Sequence, residues 1–214
     1  MRLFEIENKK TIAIMAGGFH PFHSGHAALY NSIVDAMPYA DVYVSATDTK
    51  TTRPFPFKYK QFLATISGVP EDRFLQVKRT YNVDEYMQLT DDPSNTVLVF
   101  VRSEKDRDEH PKPGDPNAVV TRGPRKGMPP YILSYEDFQD DLQSMDKHAY
   151  IKYMPTVDFG VGDQTVKSAT EIRNMWPTAS ETEKESIIDN LYPSATKEQK
   201  KTAMSMFNEI LGEE

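Results

Sequence analysis

The chain has 214 residues, a formal net charge of −7 and no cysteine. That length holds one compact domain with an extension, or two small domains. The acidic balance offers no general basic face for nucleic acid or an anionic membrane, and the missing thiols exclude disulfides, thiolate zinc sites and cysteine nucleophiles. The longest strongly apolar run, TVLVFV, falls far short of the roughly 18 residues of a spanning helix. The start, MRLFEIENKK, lacks the apolar core of a signal peptide. These features are expected of a soluble protein in a reducing, cytoplasmic compartment.

TIAIMAG (11–17) is a nearly continuous apolar run ending in a glycine pair, the pattern of a strand covered on both faces. Ser24 is the expected N-cap of a helix through HAALYNSIVDAM, whose apolar residues recur on one face. DVYVSAT (41–47) alternates and is β-branched, which predicts a second strand. KYKQFLATIS (58–67) reads as helix, RFLQV (73–77) as strand, VDEYMQL (83–89) as helix and TVLVFV (96–101) as strand. Four strands thus alternate with three helices, which predicts a parallel α/β sheet with right-handed crossovers.

From Arg102 to Pro130 the regularity gives way to clustered charges and turn formers, and residues 103–130 are expected to form a mobile insert. Farther on, YEDFQDDLQSM (135–145) is read as helix, AYIKYM (149–154) as strand, and ATEIRNMW as a helix starting near Ser168 and ended by Pro177. Two amphipathic helices follow, near 181–191 and 196–211. The expected domains are an α/β unit over 1–176 and a helical extension over 177–214, the latter serving packing or contact between copies in a homo-oligomer.

Three of the five histidines, His20, His23 and His26, stand within GGFHPFHSGH (17–26), directly after the first strand. As zinc ligands they would need regular backbone to converge, and the run straddles a loop and a helix start with no carboxylate in it. As simple helix caps or solvated side chains they leave the clustering beside two glycines without a reason. As a phosphate site they use every unusual residue. Ligands of open α/β sheets bind where a strand-to-helix loop exposes backbone N–H groups, and the helix dipole there favours anions. Gly17 and Gly18 allow close approach of the backbone, and imidazoles donate hydrogen bonds to phosphate oxygens. His23 and His26 are expected on one side of the first helical turn. A loop histidine carries little core packing, so the His23 side chain is expected to be dispensable for folding.

The pattern G-x-F-x-P-x-H-x-G-H at the first strand–helix junction resembles the signature of the HIGH-type nucleotidylyltransferase superfamily. That superfamily includes nicotinamide-mononucleotide and phosphopantetheine adenylyltransferases and the cytidylyltransferases, and class I aminoacyl-tRNA synthetases share its catalytic fold. Its second motif, Ser-Ser-Thr-x-x-Arg with small variations, is similar to SATEIR at 168–173, with Ala169 in place of one serine. The resemblance covers about residues 11–176 and is nearest the nicotinamide-mononucleotide adenylyltransferase branch. It implies a Rossmann-like parallel sheet with flanking helices, to which this chain adds the C-terminal helices.

The activity it implies is transfer of an adenylyl group from ATP to a phosphorylated small acceptor, with release of pyrophosphate. The alternatives are a cytidylyltransferase acting on a phosphorylated alcohol, or a nucleotide-binding protein that kept the fold without turnover. A phosphate acceptor is ionised at neutral pH, so positioning and charge neutralisation suffice without a general base. The resemblance puts the nucleotide on Gly17, Gly18, Phe19, His20, His23, His26, Lys167, Ser168, Thr170 and Arg173, with His23, His26 and Arg173 acting in catalysis. His20 either reaches the phosphates or acceptor, or orders the loop. Lys50 and Arg53, after the second strand, are candidates for the acceptor phosphate. Mg²⁺ is the implied cofactor, bridging the triphosphate and held by nucleotide and water without protein ligands.

Overall fold

A computed structural model describes residues 9–48, 54–123, 125–156, 159–161, 164–166 and 169–212. Strand β1 (Lys10–Gly17) leads into helix α1 (Ser24–Ala36), followed by β2 (Ala40–Ala46), α2 (Phe57–Thr65) and β3 (Phe74–Gln76). β4 (Thr96–Ser103), β5 (Ile132–Ser134) and β6 (Ala149–Met154) complete a six-stranded sheet of order β3-β2-β1-β4-β6-β5. The β1–β4, β2–β3, β4–β6 and β5–β6 ladders are all parallel, as the alternation predicts. No helix among the described residues is long and apolar enough to cross a membrane.

The chain divides into two compact units, the first comprising residues 1–16, 33–43 and 81–154. Its core is the run of strands that reads as continuous apolar sequence. Ile12, Ala13, Ile14, Leu98, Val99, Phe100, Tyr150 and Ile151 are all completely buried, as strands with both faces covered require. VDEYMQL is not the predicted α-helix but two short 3-10 turns, Val83–Glu85 and Met87–Leu89. Seven residues make too short a helix to stand alone, and the completely buried Tyr86 ring, 5.6 Å from that of Phe100, fixes the segment instead. YEDFQDDLQSM likewise keeps only one helical turn, α3 (Tyr135–Phe138). Beyond it the backbone is drawn off: Gln143 N–H donates to the Tyr150 hydroxyl and Met145 N–H to the Thr96 carbonyl, each at 2.7 Å. The edge strand β5, three residues long, gave no periodicity to read.

Residues 104–130 follow β4 with one 3-10 turn, Glu104–Asp106, and no strand among the described residues. Arg102, 6% exposed, organises the near half: its Nη1 donates to the carbonyls of Glu109 (3.0 Å) and Pro111 (2.8 Å). Its guanidinium also lies over the Tyr81 ring. Burial pushes the Tyr81 hydroxyl up to about 12, against the opposing pull of Arg102. The far half is closed by Val120 N–H to Met128 O and Gly127 N–H to Val120 O.

The second unit comprises residues 17–32, 44–80 and 155–214. It holds an antiparallel hairpin, β7 (Phe159–Val161) with β8 (Gln164–Val166), that the sequence pattern did not reveal. It also holds α4 (Ala169–Met175), α5 (Glu181–Leu191) and α6 (Lys197–Leu211), close to their predicted limits. Pro177 falls in the 3-10 turn that ends α4. Capping boxes open the last two helices, Ser180 with Glu183 and Thr196 with Gln199. Their apolar faces bury Leu191, Tyr192, Ala203 and Phe207 completely. Phe207 lies 4.7 Å from Trp176 and 5.3 Å from Phe55, ring to ring, so these helices pack into the unit's own core.

Candidate functional site

Every described residue of the two motifs lies in the second unit. The turn after β1 is built on an aromatic fold-back. Phe19 takes φ 51°, in the left-handed region that bulky residues avoid, and its ring closes over Gly17. A Cβ at Gly17 would come within 2.6 Å of that ring, so glycine here makes room for Phe19. The ring then meets Phe22 at 5.3 Å and Phe74 at 6.0 Å, with His26 edge-on at 4.9 Å. Packing on three sides holds the strained residue in place.

Helix α1 starts one residue earlier than expected. The N–H groups of His26 and Ala27 both donate to the His23 carbonyl, at 2.9 and 3.1 Å, so His23 holds the N-cap position and Ser24 is already helical. His26, in the third helical position, returns the contact: its Nδ1 accepts the His23 backbone N–H at 3.3 Å. This reproduces half of a capping box with an imidazole in place of a carboxylate. Accepting at Nδ1 leaves a neutral His26 ring with its proton on Nε2. The His23 and His26 rings stack, centroids 3.7 Å apart and planes 25° from parallel, on one side of the first turn as predicted.

Two of the three histidines are buried. His20 and His23 are 3% and 2% exposed. Phe19 and Phe22 of the turn itself, with Phe74 and Tyr192 from farther along the chain, enclose it. His20 makes the loop-ordering contact: its Nδ1 accepts the Phe55 N–H at 3.2 Å. Among the described residues, no group of three or more His, Asp or Glu is placed to hold a metal ion.

The second motif meets the first. Arg173, one turn into α4, donates from Nη1 to the His20 carbonyl at 2.5 Å, across 153 residues of sequence. Its Nη2 donates to the Thr170 hydroxyl at 3.1 Å, the same-face geometry that a spacing of three predicts. Arg173 thus joins the histidine turn. Lys167, Ser168, Lys50 and Arg53 lie outside the described residues.

Sequence reasoning missed two buried polar groups of this unit. Lys60, completely buried on α2, donates to the Thr47 carbonyl at 2.7 Å. Tyr192, completely buried after α5, donates to the Phe22 carbonyl at 2.7 Å. Lys60 stands within α2 and Tyr192 at the C-cap of α5, where a polar tip gives no signal in the periodicity.

No protein-family model matches the chain, and no curated protein matches it. Solved structures do. A Plasmodium falciparum nicotinic acid mononucleotide adenylyltransferase complexed with NaAD is similar at 12% identity and a TM-score of 0.50, over 94% of this chain and 95% of that one. A structure of that enzyme complexed with APC gives 14% identity and 0.48 over the same shares. A Francisella tularensis bifunctional NMN adenylyltransferase/ADP ribose pyrophosphatase, complexed with AMP and a Mn ion, gives 15% identity and 0.46 over 93% of this chain and 49% of that one. The likeness to the NaAD complex shows the fold: a Rossmann-like parallel sheet with flanking helices, as the motif resemblance implied.

Proposed function

We propose that the chain is a nucleotidylyltransferase that moves an adenylyl group from ATP to a phosphorylated acceptor resembling nicotinamide mononucleotide, releasing pyrophosphate. The observation that carries this reading is the hydrogen bond from Arg173 to the His20 carbonyl, which brings two motifs 153 residues apart into one constellation. An acceptor phosphate oxygen attacks the α-phosphorus, a new P–O–P link forms, and the bond to the bridging α–β oxygen breaks with its electron pair leaving on pyrophosphate. His23 and His26 donate to α-phosphate oxygens as charge grows there, at the N-terminus of α1. Thr170 and Arg173 receive the departing phosphates, and a guanidinium matches them in charge and geometry. Gly17, Gly18 and Phe19 shape the turn, and His20 orders it. On the sequence alone, Lys167 and Ser168 add to the pyrophosphate side and Lys50 and Arg53 to the acceptor phosphate.

The donor set of imidazoles, hydroxyl and guanidinium suits phosphate oxygens and offers a divalent cation no carboxylate cage. It therefore fits Mg²⁺ that arrives with the triphosphate, where the metal supplies charge neutralisation. The test is a thermal-shift series with ATP and CTP, followed by a pyrophosphate-release screen of phosphorylated acceptors. ATP at 100 times its Kd stabilises the protein by about 2.7 kcal/mol and CTP by much less. Preference for CTP would make the enzyme a cytidylyltransferase, and nucleotide binding without pyrophosphate release would make it a binding protein on this fold.

A further inference from the structure

The peptide group joining Phe22 to His23 is gripped at both ends. Its carbonyl oxygen accepts the Tyr192 hydroxyl at 2.7 Å, and its N–H donates to His26 Nδ1 at 3.3 Å. Tyr192 comes from the C-terminal helical segment, which the motif resemblance does not reach. All four residues lie in one compact unit.

We infer that Tyr192 is a positioning residue for the proposed nucleotidyl transfer: its hydroxyl orients the Phe22–His23 peptide, and through that peptide fixes which nitrogen of His26 carries the proton. The inference rests on the proposed role of His26 as a phosphate donor. A hydrogen bond accepted by a peptide oxygen strengthens the donor power of the same peptide's N–H. The Tyr192 contact therefore reinforces the bond into His26 Nδ1, and a ring that accepts at Nδ1 presents Nε2–H as its donor. The phenol is suited to this task. Its burial raises the pKa well above the ordinary tyrosine range, so the hydroxyl keeps its proton and remains a donor. The ring is held by Phe207 at 6.3 Å, edge-on, in the same cluster that contains Trp176. The C-terminal helices thereby reach the histidine turn through one oxygen atom.

Tyr192→Phe keeps the ring and removes that oxygen. Two readouts follow, of which the first needs no activity. In nitrogen-15 NMR of the imidazoles, the starting protein shows His26 as a single tautomer protonated at Nε2, and Tyr192→Phe shows a tautomer mixture. In steady-state assays, Tyr192→Phe lowers kcat about tenfold while the KM for the triphosphate stays within twofold. Phe207→Leu is the control: it loosens the same aromatic cluster and lowers Tm without disturbing the His26 tautomer. An unchanged tautomer in Tyr192→Phe overturns the inference, as does equal disturbance of His26 by Phe207→Leu. A protein inactive with every nucleotide and acceptor overturns the proposed function, and the NMR comparison still decides whether Tyr192 sets His26.

Discussion

Two irregular segments follow central strands of this protein, and they are held in opposite ways. The motif GGFHPFHSGH, which spans the turn after β1, is ten residues of mostly glycine, aromatic and histidine, anchored by groups from far along the chain: Phe55, Arg173 and Tyr192. The segment after β4 is charged and proline-rich, and most of its hydrogen bonds stay within it or at its flanks, Arg102 to Glu109 and Pro111 and Val120 to Met128, with Arg125 to the Lys147 carbonyl and Arg107 over the Tyr153 ring as its longer reaches. Distant anchors make a turn's shape depend on the whole fold, as preorganised phosphate donors require. Local anchors let a segment loosen by itself at little cost to the rest. The first pattern suits a catalytic turn. The second suits the insert over 103–130 that we propose moves during turnover.

Breaking the first segment at its centre has the largest effect. His23→Asn retains a good N-cap residue and removes the imidazole, so we expect kcat to fall by about two orders of magnitude or more. Circular dichroism of this variant should match the parent protein. Near-normal turnover would remove His23 from the chemistry. Arg173→Ala comes next. Loss of a charge-assisted contact costs roughly 1.5–3 kcal/mol, and inhibition kinetics should show the KM for the triphosphate and the inhibition constant of pyrophosphate rising together. Unchanged pyrophosphate inhibition would confine Arg173 to its hydrogen bond with His20.

Gly17→Ala sharpens the comparison on the stability side. The added methyl collides with a Phe19 ring packed on three sides, so chemical denaturation should show a loss of about 1–3 kcal/mol. In the second segment, Arg102→Met strips the Glu109 and Pro111 carbonyls of their donor. Proteolysis within 104–112 should quicken there, while nucleotide and acceptor together slow cleavage in the parent protein. Equal cleavage with and without ligands would make the insert a bystander. The smallest effect belongs to Ser180→Ala, a purely local cap, with a Tm drop of about 2–4 °C. Hydrogen bonds from Ser180 hold the Glu183 carboxyl below its usual pKa. Their contribution is therefore present above the ordinary carboxylate range and fades as pH falls through the lowered value, and Ser180→Ala should flatten that acid dependence.

Much of this was legible in the sequence because burial on both faces writes itself as continuous apolar runs. TIAIMAG and TVLVFV gave β1 and β4, and the amphipathic patterns gave α5 and α6 within a residue or two. Among the short elements only β3 was legible, in RFLQV. The strands β5, β7 and β8 have three residues each, too few to show a period, and the 83–89 and 135–145 stretches follow buried tyrosines more than their own helical pattern. At the candidate site, the histidines and Arg173 could be picked out by type and spacing. Their burial could not, because Phe19, Phe22, Phe74 and Tyr192 enclose the turn only in three dimensions. The N-cap shifted from Ser24 to His23 for a related reason: the imidazole of His26 takes up the His23 backbone N–H, the part a carboxylate plays in an ordinary capping box.

The central claim is that the bond broken lies between the α-phosphorus and its leaving pyrophosphate. It is tested by incubating the protein with Mg²⁺, nicotinamide mononucleotide and ATP labelled at either the α- or the γ-phosphorus, then separating the products. The expected result is that α-label enters the acceptor in a new P–O–P link while γ-label leaves as pyrophosphate. Transfer of γ-label to the acceptor, or its release as orthophosphate, would contradict it.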